Sequence, residues 1–133
     1  MISPAKIYVR FADIDSMGHV NNAIYLNYFE TARMHYFGEL LGEKWDWNTN
    51  GIILLRNEID YVKPVLLNME PLITITVEHI GNKSFRLGYV LEVKGEVFTK
   101  GTSTLVSFDY NNKQAMEIPQ VMKEVLLKLK EEQ

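Results

Sequence analysis

The chain has 133 residues, 47% apolar and 23% charged, which fits one domain over residues 1–133 built on one hydrophobic core. Its formal net charge of -3 argues against a nucleic-acid binder, which is ordinarily basic, although a local basic patch stays open. Cysteine is absent, which removes disulfides and thiolate chemistry; no apolar run is long enough to span a membrane and no signal-like start appears, so no membrane role and a cytoplasmic location are expected.

In chain order, KIYVRF (6–11) alternates Ile7, Val9 and Phe11 against Lys6, Tyr8 and Arg10, which predicts a first strand. A polar joint follows. AIYLNYFETARMHYFGELLG (23–42) then returns apolar residues at helical spacing, with Leu26, Phe29, Arg33, Phe37 and Leu40 on one broad face and Tyr25, Ala32 and Tyr36 beside it. Gly38 is expected to interrupt this helix and Gly42 to end it. Residues 43–51 form a loop carrying Trp45 and Trp47. Strands are expected over 52–65, 71–80, 84–93 and 97–110, joined by the turns GNK (81–83) and KGE (94–96). PQVMKEVLLKLKEEQ (119–133) opens with a proline suited to a first helical position and reads as a short amphipathic helix. The order of strand, long helix, four strands in hairpin succession and helix predicts an α+β layer pair, with a curled antiparallel sheet of about five strands against one long helix. An exposed sheet edge in so small a core suits self-association.

The stretch FADIDSMGHVNNAIYLNYFETAR (11–33) concentrates polar chemistry where the first strand meets the helix. As a calcium loop, Asp13, Asp15 and Gly18 stand at positions one, three and six, but Met17 takes position five and Ile24 the closing acidic position. His19, His35 and His79 have no zinc spacing, and no metal is expected. As a cap, Asn21 or Asn22 suits the helix start, and Asp13 or Asp15 can bond loop amides, which does not require all of these residues. As an active site, the first helical turn offers unpaired N–H groups at the positive end of a dipole, which polarise a carbonyl. A nearby carboxylate such as Asp15 attacks that carbonyl or activates water, and Gly18 lets the backbone approach a ligand. A thioester, with its good leaving group, is the natural partner.

RFADIDSMGHVNNAIYLNYFETAR (10–33), followed by EIDYVKPV (58–65), resembles the hotdog-fold acyl-CoA thioesterases of the 4-hydroxybenzoyl-CoA thioesterase type, and the likeness runs from residue 6 to about 110. The resemblance implies a hotdog fold and hydrolysis of an acyl-CoA to carboxylate and CoA thiol, with no cofactor. It makes Asp15 the catalytic carboxylate and a backbone amide of Val20, Asn21 or Asn22 the oxyanion donor. It places Tyr25 in the pocket and lets Tyr61, in a neighbouring chain's RNEIDYVKP segment, help complete it. It implies a homodimer, often paired into a tetramer. His19 either bonds the reacting centre or holds the loop. After His19 the fifth position is Ile24, so the HxxxxP pattern of dehydratases on this fold is missing. Glu30 reads as a pair partner rather than a catalyst, and Arg33 as one half of a buried ion pair. Lys83 and Arg86 are the candidates for CoA phosphates, with Lys63 behind them. Trp45 and Trp47 either cover the acyl end or form a hydrophobic loop that closes against the partner chain. An acyl-carrier protein is the alternative substrate carrier.

Overall fold

The computed structural model describes all residues, Met1–Gln133. The elements are β1 (Ala5–Lys6), a 3-10 turn (Phe11–Asp13), α1 (Ile24–Leu41), β2 (Gly51–Tyr61), β3 (Leu72–Ile80), β4 (Ser84–Val93), β5 (Glu96–Asp109), β6 (Gln114–Ala115) and α2 (Gln120–Glu131). They form one antiparallel sheet in the order β1-β3-β4-β5-β2, with β6 paired to the end of β5. This is the α+β hotdog arrangement, a curled sheet around one central helix with a short C-terminal helix.

The curl has local causes. Single extra residues interrupt the register at Leu55 in β2, Glu78 in β3 and Phe98 in β5. Each such bulge bends its strand and increases the right-handed twist, so the sheet closes over α1. The helix buries Tyr25, Tyr28, Phe29, Ala32, Arg33, Tyr36 and Phe37, the i, i+3, i+4, i+7 pattern of one wide face. Phe29 stacks on Tyr89 of β4 with ring centroids 4.1 Å apart. Gly101 of β5 makes room for it, because a Cβ there would stand 2.6 Å from the Phe29 ring. The aromatic residues of this face and the β3–β5 residues Ile73, Ile75, Val77, Phe85, Leu87, Leu91 and Leu105 make the core, which α2 caps with Met122, Leu126 and Leu129.

Three expectations are corrected. The first strand ends at Lys6, after pairing Ala5 with Ile73 and Lys6 with Leu72. β3 begins at Leu72, so beyond Ile7, whose N–H donates to the Pro71 carbonyl, the chain has no strand to pair with. The alternation breaks with it, and Phe11 is 83% exposed. Second, Gly38 does not interrupt α1, which runs unbroken until Gly42 ends it at φ 85° with its N–H on the Gly38 carbonyl. Third, Leu26 is exposed on the helix flank and Tyr28, absent from the expected stripe, is buried.

The two long margins of the sheet differ. β2 pairs with β5 on one side only, over its whole length. On the opposite margin, β1 covers the start of β3, and beyond it the side-chain amide of Gln133 bonds both the N–H and the C=O of Val77, at 2.8 and 3.1 Å.

Candidate active site

The joint between β1 and α1 is a short closed loop. Ile14 bridges Val20, the Asp15 N–H donates to the His19 carbonyl at 2.8 Å, and the Gly18 N–H returns to the Asp15 carbonyl at 3.0 Å. Gly18 takes φ +83°, a left-handed conformation that favours glycine. The two aspartates have different tasks. Asp13 is buried, and its carboxylate accepts from the Tyr28 hydroxyl at 2.6 Å, the Arg10 N–H at 3.0 Å and the Arg10 guanidinium. Burial pushes this carboxyl up, but the Tyr28 hydroxyl and then the Arg10 donors outweigh it and hold Asp13 below its ordinary value. Burial, then the bond to Asp13, raise the Tyr28 phenol in turn. Asp13 is therefore the anchor of the joint. Asp15 is half-buried and spends one oxygen on the Met17 N–H at 2.9 Å, an Asx turn that fixes the carboxylate without enclosing it.

The three amides at the helix entrance are not equivalent. The Val20 N–H donates to the Val65 carbonyl at 2.9 Å and the Asn21 N–H to the Asp13 carbonyl at 2.8 Å. Both are committed to the backbone, which removes them as oxyanion donors in this structure. The Asn22 N–H has no acceptor in the chain. The Asn21 side chain accepts from the Ala23 N–H at 3.0 Å, so Asn21 turns the chain into the helix from two residues before the cap position, which Ala23 occupies. Asn22 is held from the other side, where the Tyr61 hydroxyl donates to its carbonyl at 2.9 Å. Tyr61 stands edge-on to Tyr25 with centroids 5.0 Å apart. The Tyr25 hydroxyl accepts from the Val65 N–H at 3.2 Å, and burial raises its phenol above the usual value. Val65 thus ties Val20 to Tyr25, a role the sequence did not flag. Tyr25 itself is enclosed, so within one chain it supports the loop instead of lining an opening. The His19 ring makes no hydrogen bond, and no group of three His, Asp or Glu side chains is placed to hold a metal.

The candidate phosphate contacts are scattered. Tyr61 lies opposite Thr99, and Thr99 opposite Leu91, which puts that end of β4 beside the helix entrance. Arg86 sits five residues away along β4, about 17 Å at strand spacing, and Lys83 lies beyond it. Neither belongs to the entrance of its own chain, and Arg86 faces Glu78 at 3.5 Å. Lys63 is at the entrance end, ion-paired to Glu96. Trp45 and Trp47 pack at the other end of α1, where Trp47 meets Phe37 and Trp45 Nε1 donates to the Asn50 carbonyl. They close the loop and do not approach the joint.

A curled antiparallel sheet wrapped on one central helix defines a hotdog-type domain, and the chain belongs to the Thioesterase-like superfamily, whose family model matches residues 9–126. Among particular proteins, it is 29% identical over 126 residues to the long-chain acyl-CoA thioesterase FadM of Escherichia coli, covering 91% of this chain and 94% of FadM. It is 29% identical over 123 residues to the uncharacterized protein YsmA of Bacillus subtilis, covering 92% and 83%. Among solved structures, a thioesterase of Thermus thermophilus complexed with coenzyme A and zinc superposes with a TM-score of 0.84 at 30% identity, covering 97% of this chain and 94% of that one.

Proposed function

We propose that this protein hydrolyses acyl-CoA thioesters, with Asp15 as the catalytic carboxylate and the Asn22 amide as the oxyanion donor. The observation that carries the reading is a carboxylate with one free oxygen in the same loop as the unspent Asn22 amide, just before an 18-residue helix. The relationship to FadM and to a thioesterase crystallised with coenzyme A supports the substrate class. The thioester carbonyl oxygen would point at the Asn22 N–H, where the helix dipole favours negative charge. Asp15 then takes a proton from a water as that water adds to the carbonyl carbon, and the tetrahedral intermediate expels the CoA thiolate, which recovers the proton. Direct attack by Asp15, giving a mixed anhydride that water opens, uses the same geometry. Single turnover in labelled water reports on this, since solvent oxygen enters the Asp15 carboxylate only by the anhydride route with water adding to the aspartyl carbonyl. Both belong to the 4-hydroxybenzoyl-CoA thioesterase pattern.

The working unit we infer is a pair of chains joined along the unpaired margin of β2. The joint is open in one chain, and a second copy is what would roof it. Such a copy is also the source from which Lys83 and Arg86 reach the nucleotide, since their own chain holds them at the far end. The test is release of free thiol from a panel of acyl-CoAs by purified protein. Turnover of at least one acyl class supports the reading. Binding without thiol release overturns it, as does water loss from a 3-hydroxyacyl-CoA with the thioester intact.

A further inference from the structure

Arg33 is the one charged side chain of α1 that the core encloses, at 6% exposure. It lacks the counter-ion that the sequence leads one to expect. Its Nη1 donates to the Tyr89 hydroxyl at 2.9 Å, its Nε is enclosed with no acceptor, and no carboxylate stands within ion-pair distance. A guanidinium does not discharge by losing its proton, so an enclosed one without an anion is destabilising. It also borders a cavity of about 320 Å³ that lies between α1 and β2, walled by Met34, Leu54 and Leu105, with Tyr110 at one end and the exposed carboxylate of Glu30 at its lip.

This cavity is in line with the reaction centre. Asn22, Leu26, Glu30 and Met34 recur every four residues, so they follow one flank of the helix. Tyr61 and Leu54 mark the same course along β2. Leu26, Met34, Leu54 and Tyr61 are all exposed apolar side chains, and by their spacing they make a furrow that we infer runs from the Asn22 end of the helix to this cavity. From Asn22 to Arg33 is 11 helical residues, about 16 Å. That is the reach of a long acyl chain, along a course that is mostly apolar, passes Glu30 and Asn57, and ends beside the enclosed Arg33 guanidinium.

We propose that this furrow takes the acyl group and that Arg33 selects acyl chains whose far end carries an oxygen acceptor, a terminal hydroxyl or carboxylate. The inference rests on the thioesterase reading for the position of the carbonyl, but not for the recognition of the far end. An acceptor there would occupy the enclosed Nε or its neighbour and neutralise a site that is incomplete without it. Glu30 at the lip sets the balance between the two end groups, since it opposes a full negative charge more than a hydroxyl.

The test separates binding from turnover. Thermal shift and calorimetry are run with three free acids of equal length, the plain fatty acid, its terminal-hydroxy form and the matching dicarboxylate, on the wild type, Arg33→Met and Leu54→Trp. The expected result is that one oxygen-bearing form binds the wild type about tenfold or more tighter than the plain acid, as a hydrogen bond to a charged group would give. Arg33→Met should level the three while its own ligand-free melting point stays at or above that of the wild type, because an unpaired buried charge has gone. Leu54→Trp, which fills the cavity mouth, should remove the preference even if Arg33→Met does not fold, with its oligomeric state matched to the wild type because β2 is the inferred seam. A further variant, Glu30→Gln, should favour the dicarboxylate over the hydroxy acid. Equal binding of all three acids by the wild type overturns the inference, and so does a preference that survives both Arg33→Met and Leu54→Trp. Absence of thiol release from the corresponding acyl-CoAs would instead count against the thioesterase reading, whichever way binding turns out.

Discussion

Asp13 and Asp15 are two residues apart and face opposite environments. Asp13 is 1% exposed and spends its carboxylate on Tyr28 and Arg10, whereas Asp15 uses one oxygen on the Met17 amide and keeps the other free. One aspartate holds the joint and the other keeps an oxygen free for the reaction proposed for it, so their substitutions should separate cleanly.

Asp15→Asn should fold and assemble like the wild type, because an Asn oxygen preserves the bond to the Met17 N–H. Its thermal midpoint should stay within what about 0.5 kcal/mol produces. Turnover should fall by about two to four orders of magnitude, the range for losing a general base. Steady-state hydrolysis with a separate substrate-binding measurement checks this: a variant that turns over at the wild-type rate removes Asp15 from the mechanism.

Asp13→Asn should show the reverse. The buried carboxylate loses its charge-assisted bonds, at a cost of about 2–3 kcal/mol, and activity should fall only as far as folding does. The pH dependence follows from the direction of the Asp13 shift. Its folded-state value is depressed, so its stabilisation is complete above the ordinary carboxylate range, about pH 4, and is lost as pH falls through the depressed value. Acid unfolding of the wild type should therefore steepen below about pH 4, and Asp13→Asn should flatten that limb. Equilibrium denaturation across pH is the measurement.

Tyr61→Phe removes only the hydroxyl that holds the Asn22 carbonyl. About 1 kcal/mol of stability should go with it. The informative readout is kinetic. Loosening the peptide that follows the Asn22 amide should lower kcat while leaving KM nearly unchanged, the signature of a positioning residue. A KM effect alone would assign Tyr61 to substrate binding.

Gly101→Ala tests the packing that seats α1. The added methyl meets the Phe29 ring at 2.6 Å, and the ring cannot retreat because it is stacked on Tyr89. A loss of about 1–3 kcal/mol is expected, measured by chemical denaturation.

The periodic parts of this molecule were legible from its sequence. α1 and the four long strands lie within a residue or a few of where apolar spacing puts them, because a residue's face in a regular element depends on its neighbours alone. The first strand was not legible past Lys6, since its extent depends on where β3 begins, far along the chain. Leu26 and Tyr28 exchanged burial for a related reason: the period defines a wide face, and the curl of the sheet decides which of its flanks is covered. At the joint, residue types alone marked Asp15, Gly18 and the asparagines. The choice of Asn22 over Val20 and Asn21 needed the carbonyls of Val65 and Asp13, which no local pattern reveals. Lys83 and Arg86 are suggested by charge and by the family resemblance, neither of which says at which end of the sheet the turn lies or which chain's entrance it serves.

The Gln133 side chain gives the sheet a handed limit to growth. By satisfying both polar groups of Val77, it stands in for a strand where another chain would otherwise dock. The β2 flank has no such cover, and a twofold-related copy added there, as in the pair we propose, would use up that flank on both molecules at once. Loss of Gln133 would uncover Val77 on the opposite margin and so make accretion into longer ribbons easier.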